Sequence, residues 1–282
     1  MPAHHRYGTT IGALTAAAFL LYLLLYSAAK TNQVSTPQAE LAPHDSVRIM
    51  TYNMRHAQGA DGQVDLNRVA RLLQTSQADV IALQEVDRYW GRSGNRDQIK
   101  ALADRLGMEW RFSPSLNDGK RQYGNALLSK YPIDRSESIL LPGKQEQRSL
   151  LDARLLIGEA ILRVVTTHLG VTSSDRQSQL ERIRQQLADD EGPTVLLGDW
   201  NMAADDPNLV HHLPQWTILP LPVGASTLVS GDAIDHIFVN FDAGGAVARA
   251  WPSLASDHFP VMAHFIVPGS RLLPKQPNSM IN

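Results

Sequence analysis

Residues Val195-Leu196-Leu197-Gly198-Asp199-Trp200-Asn201 set the pattern that decides the fold. A short apolar run of strand length closes on a group of polar residues. The arrangement recurs along the chain: Val47-Arg48-Ile49-Met50-Thr51-Tyr52 ends in Asn53, Val80-Ile81-Ala82-Leu83-Gln84 in Glu85, and Leu162-Arg163-Val164-Val165-Thr166-Thr167 in His168. Asp235-His236 opens another run, and Ser256-Asp257-His258 opens the last. A single such residue is explained by turn chemistry, because Asp and Asn favour turns and helix caps. Together these carboxylates, asparagines and histidines are the groups that hold a hard cation through oxygen while imidazoles handle protons and phosphate oxygens.

Working outward, the spacing predicts strands over 47–51, 79–83, 126–129, 133–140, 150–157, 161–167, 194–197, 234–240 and 261–267. Helices are predicted over 65–75 and 99–106. Asp65 is the expected N-cap of the first, with Leu66, Val69, Leu72 and Leu73 on one face. A third helix, capped by Ser174, carries Leu180, Ile183 and Leu187 at helical spacing. A Pro-rich loop region separates the last strands. Strands that first alternate with helices and then follow one another imply an α/β layered domain with mixed sheets.

That domain is expected over residues 46–268, followed by a flexible tail at 269–282. Before it, residues 31–45 read as a polar linker with Pro37 and Pro43, and residues 1–30 as a membrane or export segment. Ile11 to Ala29 carries no charge and follows Arg6, so the reading is an anchor with the domain outside the cytoplasm, or a signal peptide cleaved after Ala29. The length of the run favours the anchor.

The absence of cysteine excludes thiolate nucleophiles, zinc-thiolate centres and disulfides. The chain has 26 Lys and Arg against 28 Asp and Glu, and two of the cations, Arg6 and Lys30, lie in the first thirty residues. The acidic remainder argues against a protein that blankets a polyanion with positive charge. Arg88, Arg92 and Arg96, spaced by four, with Lys120 and Arg121, form a candidate phosphate-gripping rim; a solvated basic face is the simpler explanation. No GxSxG elbow, phosphate-binding GxxxxGK[ST] loop, GxGxxG or HExxH is present. His4-His5 and His211-His212 are adjacent pairs without ligand spacing and read as surface residues.

The ordered series TYNMR (51–55), LQEV (83–86), YGNALLSKYPI (123–133), THL (167–169), GDWN (198–201), IDHIFV (234–239) and SDHFPV (256–261) resembles the motif set of the endonuclease/exonuclease/phosphatase superfamily. That resemblance implies a four-layer α/β sandwich, two mixed β-sheets packed face to face and flanked by helices. It also implies a Mg2+-dependent phosphodiester hydrolase, with Mn2+ as an alternative ion. By the same resemblance Glu85 is the principal metal ligand, supported by Asn53 and Asp257. Asp199 orients or deprotonates the attacking water, Asn201 binds the phosphoryl group, Asp235 orients His258, and His168 donates to a phosphate oxygen. Tyr123 and Asn125 match positions beside the catalytic histidine, and Arg148 a cation that approaches the phosphate. Trp200 reads as packing and His236 as a neighbour only.

Loops around such a centre decide the substrate. The leading expectation is a nuclease outside the cytoplasm, supported by the arginine-rich loop and by the implied divalent-metal centre of the deoxyribonuclease type. A phospholipid or inositol-phosphate phosphoesterase is the alternative, supported by the anchor, and a noncatalytic binding module ranks last. No protein partner is inferred; the expected partners are the phosphodiester substrate and the membrane.

Overall fold

The first two strands, β1 (Val47–Asn53) and β2 (Val80–Arg88), are parallel neighbours, and both are buried along most of their length. A parallel pair covered on both faces demands continuous apolar sequence, which is why these runs lack the polar alternation of half-exposed strands. The computed structural model describes residues 46–188 and 192–270. The predicted N-terminal segment, the linker, most of the tail and the His4-His5 pair lie outside the described residues.

The remaining strands are β3 (Glu109–Asn117), β4 (Gln122–Ser129), β5 (Ile133–Leu141), β6 (Arg148–Ile157), β7 (Ala160–His168), β8 (Thr194–Asp199), β9 (Thr217–Ile218), β10 (Asp235–Val239), β11 (Arg249–Ala250) and β12 (Val261–Phe265). They form two mixed six-stranded sheets, ordered β11-β12-β1-β2-β4-β3 and β5-β6-β7-β8-β10-β9. The helices are α1 (Leu66–Ser76), α2 (Gln98–Leu106), α3 (Ser173–Gln186) and α4 (Pro207–His212).

Strand alternation sorts the apolar residues into separate cores. Ile49, Val80 and Leu127 of the first sheet meet Leu155, Val164 and Leu197 of the second in the central core. Their neighbours Met50, Ile81 and Leu128 point the other way, onto Val69 and Leu73 of α1 and Ile99 and Leu102 of α2. On the far side Val165 and Leu196 pack under Leu180 and Ile183 of α3. Among the described residues no helix is long and apolar enough to cross a membrane.

Several elements differ from expectation. Strand β3 is absent from the strands expected from sequence, and it contains Pro114, which a central strand would not accommodate. As an edge strand with a bulge between Pro114 and Leu116, β3 tolerates it. The Pro-rich region contains α4, whose Asp206 cap and Pro207 at the first helical position are a start signal that was passed over, and also β9. Asp65 caps α1 as predicted, accepting from Asn67 and Arg68 N–H, but α3 is capped by Thr172, not Ser174. His212 is buried, with Nδ1 2.7 Å from the Asn208 carbonyl oxygen, so only half of its pair lies at the surface.

Candidate active site

Three adjacent strands place the second sheet's share of the site. β7 and β8 are parallel, with His168 opposite Asp199, and β10 is antiparallel to β8, with Asp235 also opposite Asp199. The close packing of β7 and β8 requires glycine before Asp199: a Cβ on Gly198 would lie 2.0 Å from the Thr167 carbonyl oxygen.

The first sheet delivers Asn53 at the end of β1 and Glu85 from β2. Glu85 was expected at the end of its strand. β2 instead runs on to Arg88, and pairing with β4 slips between Leu83 and Val86. Glu85 sits in that bulge with φ of 57°, which turns its side chain out of the regular alternation. The loop before β12 brings Asp257 and His258 to the same end, because β12 runs antiparallel to β1.

The predicted residues converge across the sheet boundary. Asn53 Nδ2 donates to Glu85 Oε1 and to Asp199 Oδ2, both at 3.0 Å. The same Asp199 oxygen lies 3.3 Å from His168 Nε2 and 3.6 Å from His258 Nε2. Asp199 Oδ1 accepts from the Asn201 backbone N–H at 3.0 Å, while Asn201 Nδ2 donates to the Leu169 carbonyl at 2.8 Å. His258 Nδ1 is 2.9 Å from Asp235 Oδ2. Asp257 is bound by Arg55 Nη1 at 3.1 Å.

Arg148 is buried at the start of β6, with Nη1 2.5 Å from Glu146 Oε1 and 3.4 Å from His168 Nδ1. A guanidinium only donates, so Nδ1 is the unprotonated ring nitrogen and Nε2 carries the hydrogen. Asn125 is one layer lower, with Nδ2 donating to the Ser149 carbonyl across the two sheets at 2.8 Å.

Two imidazoles side by side are held in opposite charge states. Burial pulls His168 down to about 3 against the opposing charge of Asp199, with Arg148 and His258 adding to the effect of burial. Burial also works against charge on His258, but the charge and hydrogen bond of Asp235, aided by Asp199 and Asp257, outweigh it and raise that histidine to about 9. Burial pushes the Glu85 carboxyl up, and Asp199 and Asp257 reinforce the shift against the Asn53 hydrogen bond and His258. Burial, then Glu85 and Glu146, keep the Tyr123 phenol protonated well above its usual range.

This donor set fits a divalent cation. Glu85 is a carboxylate short of compensating positive charge, among oxygen groups of the kind magnesium and manganese accept. Asp199, Asp235 and His258 also bring ligand atoms within 4.8 Å of one another, near enough to hold an ion. The Asp235–His258 hydrogen bond already occupies one imidazole nitrogen of that trio.

Three of the five rim cations are paired with carboxylates. Arg88 donates to Asp97 at 2.9 and 2.7 Å, and Arg92 donates to buried Asp87 at 2.9 and 2.8 Å. Arg121 pairs with Asp118. Trp200 is fully buried against Phe238, and His236 faces the Met202 carbonyl, as packing and neighbour roles predicted. Arg55, His56 and Glu146 also border the site, and they lie in a turn and a loop with no sequence periodicity to mark them.

The chain is similar to known proteins in sequence and in fold. Protein cwh43 of Schizosaccharomyces pombe is 33% identical over 135 residues, which are 47% of this chain but 14% of cwh43. YbhP of Escherichia coli K12 is 28% identical over 252 residues, covering 77% of this chain and 95% of YbhP. The crystal structure of an endonuclease/exonuclease/phosphatase from Beutenbergia cavernae DSM 12333 shares the fold, with a TM-score of 0.68 at 23% identity over 80% of this chain and 72% of that one. The family model described as Endonuclease/Exonuclease/phosphatase family matches residues 50–258, and with that span covering most of the chain, the protein belongs to this family of metal-dependent phosphoesterases.

Proposed function

We propose that the chain is a divalent-metal-dependent phosphodiester hydrolase. The observation that carries the reading is Asp199 Oδ2, a carboxylate oxygen facing the Nε2 atoms of His168 and His258 at 3.3 and 3.6 Å beside the Glu85 carboxyl. Glu85, with Asn53 and Asp257, would hold Mg2+ or Mn2+. When bound, the ion supplies Lewis-acid stabilisation of the phosphoryl oxygens.

The chain's own residues do the rest. Asp199, fixed by Asn53 and by the Asn201 N–H, accepts a hydrogen bond from the attacking water and takes its proton. His258, charged through Asp235, donates from Nε2 to a phosphoryl or leaving-group oxygen. His168 is neutral and donates its Nε2–H without exchanging a proton. Arg148 holds that tautomer, and Asn201 offers its remaining amide hydrogen to the same oxygens.

On substrate, the nuclease expectation loses its main cationic support, since Arg88 and Arg92 are bound to Asp97 and Asp87. An amphiphilic phosphodiester, such as a phospholipid, is favoured by exposed apolar residues close in sequence to the site: Val171 three residues after His168, and Leu254 three before Asp257. Val229 joins them, its N–H bonded to the Asp257 carbonyl. The charge-free segment from Ile11 to Ala29 would tether such an enzyme to a membrane, with the domain outside the cytoplasm.

The test is turnover of the detergent-solubilised chain on bis(p-nitrophenyl) phosphate, then on DNA, RNA, sphingomyelin and phosphoinositides. EDTA should abolish activity and Mg2+ or Mn2+ restore it; full activity in EDTA refutes the metal. A preference for nucleic acid over lipid restores the nuclease reading. An export-dependent reporter fused after Ser46 checks the compartment, and cytoplasmic reporter activity defeats the tether model.

A further inference from the structure

His56 stands beside the site and has no part in the mechanism above. It lies in a short turn in which three successive non-glycine residues, Arg55, His56 and Ala57, take φ values of 45°, 43° and 66°. L-residues avoid this left-handed region, and such backbone persists only where its surroundings over-determine it.

They do so here. Gln98, buried at the start of α2, donates through Nε2 to the His56 carbonyl at 2.8 Å and accepts the Asp87 N–H through Oε1 at 2.9 Å. Arg55 N–H donates to Asn53 Oδ1, and Ala57 N–H to the Met54 carbonyl. The turn is thereby locked to two of the strands that carry the site.

The turn delivers one imidazole. His56 Nδ1 is buried and has no hydrogen-bond partner among the described residues. It faces Glu85 Oε2 at 4.0 Å, the oxygen left over when Oε1 accepts from Asn53. That gap is too long for a hydrogen bond. It is near the separation of two ligand atoms on opposite sides of one ion at about 2.1 Å each.

We propose that His56 Nδ1 is a nitrogen ligand of the cation centre built on Glu85, and that it shifts the site's preference from Mg2+ toward Mn2+. The inference rests on the metal-dependent reading above. Magnesium demands near-ideal oxygen coordination and gives up its water reluctantly, whereas manganese, a softer transition ion that also takes oxygen ligands, admits an imidazole nitrogen into its shell more readily. An imidazole beside the principal carboxylate therefore discriminates between ions that the oxygen groups alone would treat alike.

The test is Mn2+ binding to the full chain in detergent, followed by electron paramagnetic resonance, with spin-echo modulation to detect a directly bound imidazole nitrogen. The wild type, prepared with 14N- and then 15N-histidine, should show the isotope-dependent coupling. In His56→Asn, chosen because asparagine tolerates positive φ, the coupling should vanish. Mn2+ affinity should fall about tenfold or more, the scale seen when support of a metal site is removed, while Mg2+ affinity changes far less. His168→Gln and His258→Gln should both retain the coupling.

Coupling that survives in His56→Asn, or disappears in either of the other variants, assigns the nitrogen elsewhere and overturns the proposal. Mn2+ that binds the wild type without nitrogen coupling, as when a water bridges His56 and Glu85, overturns it while the metal-dependent reading stands. Failure of the wild type to bind Mn2+ or Mg2+ overturns both. If His56→Asn does not fold, as judged by circular dichroism, His56→Gln takes its place.

Discussion

Glu85 is a carboxylate that the metal-free fold stabilises poorly. Burial and the nearby Asp199 and Asp257 raise its proton affinity, and the bulge that holds it imposes a positive φ. Glu85→Gln should therefore unfold at a higher temperature than the wild type when both are in EDTA, yet show no stabilisation on adding Mg2+ or Mn2+. The wild type should gain about 2.7 kcal/mol at a cation concentration 100 times Kd. A metal-induced shift of equal size in Glu85→Gln would place the ion elsewhere. The two histidines make a second comparison: His168→Ala and His258→Ala should each lower turnover about 100-fold or more, and near-normal turnover in either removes that residue from the site. Asn53, Glu85, His168, Asp199 and His258 were legible in sequence because each stands at the start or end of an apolar run as a group that a core would reject. Arg148's hold on the His168 tautomer was not, since it depends on β6 and β7 being paired, which spacing alone does not state. His56 was hidden inside a turn whose residues are individually ordinary.

At the level of elements, Gly198 joins fold to site most directly. Any side chain there drives into the Thr167 carbonyl, so Gly198→Ala should push β7 and β8 apart, separating His168 from Asp199. A loss of about 1–3 kcal/mol in denaturant unfolding is the scale for such overpacking, and turnover should fall with it. Unchanged stability would mean that the strands relax freely. By contrast Asp65→Ala, which removes the α1 side-chain cap but keeps the backbone N–H that bonds the Ala57 carbonyl, should cost about 1 kcal/mol with turnover little changed. Strands buried on both faces were readable as apolar runs, and α1 as a capped amphipathic helix. β3 was not, because it is an edge strand in which Pro114 and a bulge are harmless. The continuation of β2 past Glu85 escaped for a related reason: a polar pair in a bulge looks like a strand end when only the pattern is visible.

Across the whole molecule, the site lies on the seam between the sheets and is fastened there by polar groups. Thr51 Oγ1 donates to Gln84 Oε1, and Gln84 Nε2 donates to Thr166 Oγ1 of the opposite sheet at 3.1 Å, in a buried position. The Asp235–His258 pair makes a similar link, joining β10 to the loop that leads into β12. Its contribution to stability depends on pH. His258 has its proton affinity raised from an ordinary value of 6.5 to about 9 when folded, since Asp235 outweighs the effect of burial. A histidine raised in this way stabilises the fold fully below its unfolded value and ceases to do so as pH climbs through its folded value. In EDTA, the denaturant midpoint of the wild type should therefore decline between pH 6.5 and about 9. Asp235→Asn removes the charge that holds the proton, so this variant should be less stable than the wild type at pH 6 and show a shallower decline above it. Comparing the two proteins isolates the pair from Glu85, which they share. An identical slope in both would show that Asp235 does not hold His258 charged, and the acid role given to that imidazole would then have no electrostatic basis.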